Sequence, residues 1–408
     1  MDNGPEASTR PELVASMQSR GTNQIGVRLY NERLVLSLIR EHKILPKAEV
    51  ARLTGLSPQT ISGIVNELTD DGLLLKGRPQ RGRVGQPSVP YSLNPEGAYF
   101  VGMKIGRRSS DVVLLDFVGR VLRKFHEPHP YSTPEDTLAL IRRGTGELVD
   151  GLTSAQRKRI SGFGIASPFE MWNWEPQFGA PQSVLEAWRT TDILADARRL
   201  SPWPVYLHND GTAACAAELV LGNAATGADF LYIFIGSFIG GGVVLNNHLY
   251  PGRSRYAGAV GPMPIPMPGK PGFQQLLRSA SLYVLGEKLA EAGQDPTVLT
   301  RDPDNWGELG APLEEWLEST ARDLALTITS AVSVIDFETI VIDGAFPIAL
   351  RRRLVEATRA ALGVFDMQGV SPFSVVEGSI GSGAREIGGA CLALLANFTK
   401  DREVLFKE

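Results

Sequence analysis

Residues Ile44 to Gly85 constrain this chain more than any other stretch, because they order the parts of a helix-turn-helix with a basic wing. Ser57-Pro58 opens a helix: Ser57 can accept a bond from a first-turn amide, and Pro58 suits the first helical position. Ile61, Ile64, Val65 and Leu68 then recur at the i, i+3, i+4, i+7 spacing of one buried face, leaving Gln59, Thr60, Ser62 and Asn66 on the other. Short, uncharged polar side chains suit base edges and phosphates in a major groove. Lys47 to Thr54 gives the preceding helix, Gly55 the turn, and Leu34, Val35, Leu38 and Ile39 mark a supporting helix. After Leu73-Leu74-Leu75-Lys76, the loop Gly77 to Pro87 carries Arg78, Arg81 and Arg83, and Val89, Tyr91 and Leu93 alternate as in a strand. No Asp or Glu occurs between Asp71 and Glu96. Arginines on an acid-free loop fit phosphate contact or insertion into a narrow minor groove. Ser57, Gln59, Thr60, Ser62, Arg78, Arg81 and Arg83 are therefore the expected contacts to double-stranded DNA. The alternative, a plain three-helix bundle with a solvated hairpin, leaves the agreement of cap, turn, helix pattern and basic loop unexplained.

One such module cannot fill 408 residues, and the length implies two or three domains. Residues 1–90 hold 12 Lys and Arg against 9 Asp and Glu, leaving 29 against 36 in the rest of the chain. The basic excess thus sits with the DNA reader and is small, so affinity must come from local arginines and dimerisation. Cys215 and Cys391 are the only cysteines, which excludes a framework of several disulfides and a cysteine-rich zinc site and points to a reducing cytoplasm. No apolar run reaches the roughly 18 residues needed to span a bilayer, and Met1 to Arg20 lacks the apolar middle of a signal peptide. The expected division is a polar, disordered tail over 1–22 and a winged helix-turn-helix over 23–95. Two further lobes over 96–208 and 209–383 follow, then a C-terminal helix and tail over 384–408 packing back on the first lobe.

From Tyr99 onward the pattern is α/β. Strands at Tyr99 to Ile105, Asp111 to Asp116 and Val121 to Phe125 form a meander. A helix over Pro134 to Gly151, a strand at Gly162 to Ala166, a long irregular loop to Gln182, a helix over Ile193 to Leu200 and a strand at Val205 to His208 complete one half. The second half repeats the scheme with strands at Phe230 to Ile235, Gly241 to Leu245 and His248 to Tyr250, helices over Gln274 to Ala292 and Leu313 to Ile335, and a strand at Thr339 to Ile342. Two such halves describe the duplicated actin-like, RNase H-like fold of sugar kinases.

The run His208-Asn209-Asp210-Gly211-Thr212-Ala213-Ala214 with Glu218, the turn Ile235 to Gly242, and Val341-Ile342-Asp343-Gly344 together resemble the ROK family of repressors, open reading frames and kinases. Leu93-Asn94-Pro95 and the strand containing Gly102 resemble its repressor branch. By that resemblance, Asn209 and Asp210 bind sugar hydroxyls, Asp210 being the general base in the kinases; a cap for the helix starting near Gly211 is the other role open to Asn209. Gly236, Ser237, Gly240 and Gly241 match the family's second phosphate turn, retained here as a vestige or as a tight hairpin. Ala166-Ser167-Pro168-Phe169 matches a turn beside the sugar and leads to Trp172 and Trp174, whose indoles can stack on a pyranose. Ser167, Trp174, Asn209, Asp210 and Gln275 are thus the expected effector contacts.

Departures from the family pattern narrow the function. Lys104-Ile105-Gly106-Arg107-Arg108 stands where the kinases carry Asp-x-Gly-Gly-Thr, so an uncompensated cation is expected where magnesium should be held. Ala259 and Pro262 replace a sugar-binding Glu and a His that binds sugar and structural zinc, and Gln275 replaces a further Glu. The resemblance therefore implies a sequence-specific transcriptional regulator, a repressor, sensing a carbohydrate through a catalytically inactive domain. It implies no catalytic residue, metal or cofactor, and a homo-oligomer that reads paired half-sites. The alternatives are an active ATP-dependent sugar kinase with an added DNA-binding domain, and a regulator controlled by a protein partner.

Overall fold

The computed structural model describes residues 24–79, 88–173, 180–223 and 227–400. The wing arginines Arg81 and Arg83, and Trp174, lie outside these residues. The N-terminal module consists of α1 (Gln24–His42), β1 (Ile44–Pro46), α2 (Lys47–Thr54), α3 (Pro58–Asp70), β2 (Leu74–Lys76) and β3 (Pro90–Leu93), with a sheet in the order β1-β3-β2. Gly55 ends α2 at φ 71°, a left-handed conformation that glycine adopts without strain. Ser57 caps α3 as its sequence demands, its side chain accepting the Thr60 amide at 3.1 Å. Strand β1 has no sequence signal, because three residues of Ile-Leu-Pro carry no period.

The first half contains β4 (Tyr99–Lys104), β5 (Ser109–Asp116), β6 (Val121–Pro128), α4 (Pro134–Val149), α5 (Ser154–Lys158), β7 (Ile160–Ser167), α6 (Gln182–Arg189), α7 (Ile193–Leu200) and β8 (Val205–Asn209). The second contains α8 (Asp210–Leu221), β9 (Phe230–Ile235), β10 (Ile239–Leu245), β11 (His248–Tyr250), β12 (Pro264–Pro266), β13 (Phe273–Gln275), α9 (Leu277–Ala280), α10 (Leu282–Glu291), α11 (Val298–Arg301), α12 (Ala311–Ile335), β14 (Thr339–Gly344), α13 (Ile348–Leu362), β15 (Ser374–Glu377) and α14 (Ala384–Phe398). The sheets run β6-β5-β4-β7-β8 and β11-β10-β9-β14-β15. Each is an antiparallel meander continued by two parallel strands, so the same topology occurs twice.

The single helix expected over Gln274 to Ala292 is instead β13, α9 and α10. Ser281 interrupts it in an extended conformation (φ −75°, ψ 150°). There its hydroxyl accepts the Ile239 amide at 3.1 Å, and its carbonyl accepts the Trp316 indole N–H at 3.2 Å. These buried long-range bonds outweigh local helix continuity. The loop expected up to Gln182 ends as drawn, but α6 follows it, held by only two buried side chains, Leu185 and Trp188.

Helix α14 lies against β4, β7 and α8 at distances that only glycine permits. A Cβ on Gly102 would strike the Glu386 carbonyl, one on Gly164 the Gly389 carbonyl, and one on Gly388 the Ala213 carbonyl. The N-terminal module joins the same core: Val35, Leu36 and Ile39 of α1 share one buried cluster with Phe100, Phe117 and Leu394. Arg40, only 9 % exposed, donates to the Phe117 carbonyl at 2.8 Å and lies 5.0 Å from the Phe117 ring centre. Burial lowers its pKa to about 10, so it stays charged at neutral pH. Phe398 packs edge-on to both Phe100 and Phe117, and the Lys400 amide donates to Ser37 at 3.3 Å.

Gly164→Ala should therefore cost about 3 kcal/mol, the upper range for overpacking a filled core. Gly146→Ala in α4, where an added Cβ meets nothing within 4 Å, should be neutral or stabilise by up to about 1 kcal/mol. Urea denaturation of the two variants checks both.

Candidate functional site

The reading face of α3 carries Gln59 and Thr60, both exposed, and Ser62, partly covered. Ser57 also meets the Thr60 hydroxyl at 2.8 Å, so these two side chains form one capped unit at the helix start. Lys47, which has no place among the expected contacts, donates to Ser62 at 3.2 Å and to Asn66 at 2.7 Å and lies 5.4 Å from the Tyr91 ring centre. It thereby puts a cation on the polar face that its sequence pattern presents as uncharged. Arg78 is exposed just after β2.

Of the expected effector residues, Ser167, Asn209 and Asp210 meet at the C-terminal ends of β7 and β8, the end of an α/β sheet at which ligands usually bind, whereas Gln275 belongs to the β12–β13 ribbon and Trp174 lies outside the described residues. Ser167 and Asn209 are register partners there. Asn209 accepts the Gly211 amide at 3.0 Å, which is the capping role, and Asp210 accepts the same amide at 3.0 Å through Oδ1. Its Oδ2 lies 3.5 Å from Arg385 Nη1. Arg385 comes from the first turn of α14, 175 positions further along the chain, and stacks 5.1 Å from the Phe234 ring. Ser167 is buried and donates to the Pro168 carbonyl at 3.0 Å, so its hydroxyl braces its own turn. Phe169 meets Tyr256 of the second half edge-on at 5.4 Å. Trp172 packs against the core of the first half, and Gln275 is exposed on the β12–β13 ribbon opposite Pro264. His208 is held neutral: burial, then the charge of Arg255, pushes its pKa down to about 4.

Several motif residues have structural work. Glu218 accepts the Ser379 amide at 2.9 Å and hydroxyl at 2.8 Å, and Asp343 accepts Tyr232 at 2.8 Å and the Gly381 amide at 3.0 Å while pairing with Arg351 at 3.1 Å. Gly241 and Gly242 let α8 approach β10: a Cβ on Gly211 would sit 2.6 Å from the Gly241 amide nitrogen, and one on Gly242 2.5 Å from Cys215 Cβ. Gly240 is open on one side. Gly236 and Ser237 instead accept the Leu282 and Tyr283 amides through their carbonyls at 3.0 and 3.2 Å, which ties the turn to the start of α10.

Lys104 is not uncompensated. Its ammonium is 2.6 Å from Asp111, which also faces Lys124 at 3.3 Å and His126 at 2.7 Å, and Lys124 continues to Glu386 at 2.7 Å. The one-residue reading of a lone cation failed because Asp111 lies on the paired strand, directly opposite Lys104 in register. Burial alone would raise the Asp111 pKa, but Lys104 and then Lys124 hold it far below the usual carboxylate range. Among the described residues no group of three or more His, Cys, Asp or Glu could hold a metal. Asp111→Asn, which takes the carboxylate from Lys104 and leaves Lys124 with Glu386 alone, should cost about 3 kcal/mol at neutral pH. The carboxylate contributes above its unfolded pKa of about 4 and loses that contribution as pH falls toward its lower folded value, so the gap between wild type and variant should narrow in acid. Denaturation curves from pH 7 to pH 2 test this.

Comparisons with known proteins agree with this geometry. Residues 28–74 match the winged helix-turn-helix DNA-binding model and residues 100–275 the ROK family model. The uncharacterized protein y4fQ of Sinorhizobium fredii is 24% identical over 376 residues, covering 90% of this chain and 91% of its own. The xylose repressor of Bacillus subtilis is 26% identical over 247 residues, 60% of this chain and 63% of that protein, so the match spans less than two thirds of it. The crystal structure of a ROK family transcriptional regulator, a homolog of the E. coli MLC protein, has a TM-score of 0.65 at 19% identity and covers 94% of this chain and 100% of that one. This chain carries a ROK family domain joined to an N-terminal winged helix-turn-helix.

Proposed function

We propose that the protein is a transcriptional repressor of the cytoplasm that binds operator DNA as a homo-oligomer, responds to a sugar or sugar-like molecule, and transfers no phosphate. The observation that carries this reading is the shared core of the reading head and the sugar-kinase-like domain. A head seated on that domain moves with it, whereas a head on a tether would not register a ligand. The supporting chemistry is the pair Asn209 and Asp210 at the strand ends, and Lys104 with its Asp111 partner where the kinases of this family hold magnesium. Similarity to a protein named xylose repressor supports the same class of effector.

Helix α14 offers the route. Its first turn carries Arg385 beside Asp210, and its last residue, Phe398, packs on Phe117, which holds Arg40 of α1. Fifteen helical residues span about 22 Å as a stiff rod. A sugar that bonds Asp210 changes what Arg385 meets, and a small tilt of the rod re-aims α1 and with it α3. A dimer turns that tilt into a change in half-site spacing. Ligand and operator must then alter each other's affinity by the same factor.

Asp210→Ala should abolish the response of operator affinity to the sugar while leaving sugar-free DNA binding within about twofold. The test is fluorescence anisotropy on an operator selected from genomic fragments, with and without a panel including xylose; a variant that responds normally moves the sensing site elsewhere. Arg81→Ala with Arg83→Ala should weaken binding and flatten its dependence on salt, as lost phosphate contacts require. Turnover of ATP with magnesium on any sugar, abolished by Asp210→Asn, would instead make the protein a kinase.

A further inference from the structure

The polar face of α3 carries an interaction to which the operator reading assigns no task. Gln59, Ser62, Gly63 and Asn66 share that face at the i, i+3, i+4, i+7 spacing, and a Cβ on Gly63 would meet nothing within 4 Å, so the surface beside Ser62 and Asn66 is open. Lys47, the first residue of α2, reaches onto it: its ammonium donates to Ser62 Oγ at 3.2 Å and to Asn66 Oδ1 at 2.7 Å. The Tyr91 ring, centred 5.4 Å from the ammonium, adds cation–π attraction that holds the charge in place. Among the described residues no carboxylate pairs with Lys47, since Glu49 of α2 is taken by Arg52 and Glu67 of α3 by Arg28. An ammonium has three N–H donors and no acceptor, so both partners turn an oxygen toward it. Asn66 is left with its NH2 group for outside partners, Ser62 with its O–H, and Lys47 with a third N–H.

We propose that Lys47, Ser62 and Asn66 form a donor-only reading unit that selects a guanine in each operator half-site, an inference that rests on the reading of α3 as the helix that contacts the operator. In the major groove guanine presents two acceptors, O6 and N7, whereas adenine sets the N6 amino donor beside N7 and cytosine presents the N4 amino donor. An asparagine that reads adenine needs its carbonyl to accept from N6 while its amide donates to N7. Lys47 occupies that carbonyl, so adenine would set donor against donor and leave both without a bond. Facing guanine, the third N–H of Lys47 and the amide of Asn66 meet N7 and O6 with every donor matched. Thymine offers a single acceptor and a methyl group, which leaves one donor of the unit unmatched. The unit shares the face of Gln59, the face that enters the groove in domains of this class, and this favours a base edge over a phosphate.

The test is selection of bound duplexes from a randomised pool by the full chain, followed by anisotropy titration of the selected site. A guanine is expected at one position of each half-site. There 7-deazaguanine, which lacks the N7 acceptor, should weaken binding about tenfold, whereas inosine, which keeps O6 and N7, should bind within about twofold of guanine. Lys47→Met keeps an unbranched chain against Tyr91 but frees the Asn66 carbonyl. It should lose the sensitivity to 7-deazaguanine and bind the adenine-substituted site at least as well as the guanine site. If Lys47→Met does not fold, Asn66→Ala, at an exposed position, should reduce the 7-deazaguanine effect to about threefold or less. Equal weakening on every sequence by Lys47→Met, with the salt slope lowered by about one, would mark a phosphate contact and overturn the proposal. So would a selected site without that guanine, or an unchanged guanine preference in the folded variants. Failure of the wild type to bind any duplex would instead sink the operator reading, and this inference with it.

Discussion

Backbone touches backbone where α14 crosses β4, β7 and α8, and every functional feature of the molecule hangs from that contact. Gly102, Gly164, Gly388 and Gly389 remove the side chains that would hold the helix off the sheet. The helix then sits deep enough for Arg385 at one end to reach Asp210 and for Phe398 at the other to reach Phe117. A helix packed on side chains stands 8–10 Å from its neighbour by the usual spacing. Closer packing, as here, is intolerant of small adjustments, which favours discrete rearrangement over gradual deformation.

Electrostatics divides the molecule differently. At the strand ends of the first half, His208 is kept uncharged and Asp210 faces a single guanidinium, a setting suited to neutral hydroxyl groups. Across Arg385, charges cluster: Lys104, Asp111, Lys124 and Glu386 alternate in sign through the interior. This alternation turns the first meander into an ion-paired scaffold that pins β4, β5 and β6 to α14, because Glu386 belongs to that helix.

The winged module was legible in the sequence because its signals are local: a cap at Ser57, a turn at Gly55 and a four-residue apolar stripe lie within fifteen residues. The duplicated sheets were legible from strand spacing, and Asn209 and Asp210 from resemblance to the family. Arg385, Asp111 and Lys47 were not, since each acts on a partner brought near only by tertiary structure: Lys47 on the far side of a turn, Asp111 across a strand pair, Arg385 from a helix near the other end of the fold. The glycine run was open to a phosphate-turn reading because glycines for ligand approach and glycines for helix approach look alike. At Gly241 and Gly242 the neighbours are α8 and β9. The helix drawn through Ser281 failed for the same reason, a buried partner that the local pattern does not contain.

The bond from the Lys400 amide to Ser37 spans 363 positions, and the Phe398 ring that seats α1 is almost as remote from it in sequence. The contacts within the N-terminal module are local, whereas its seat on Phe117, Phe398 and Lys400 needs nearly all of the remaining chain. The placing of α1 therefore depends on the last helix of the chain, and a polypeptide broken off before α14 would lack the aromatic and backbone contacts that aim it.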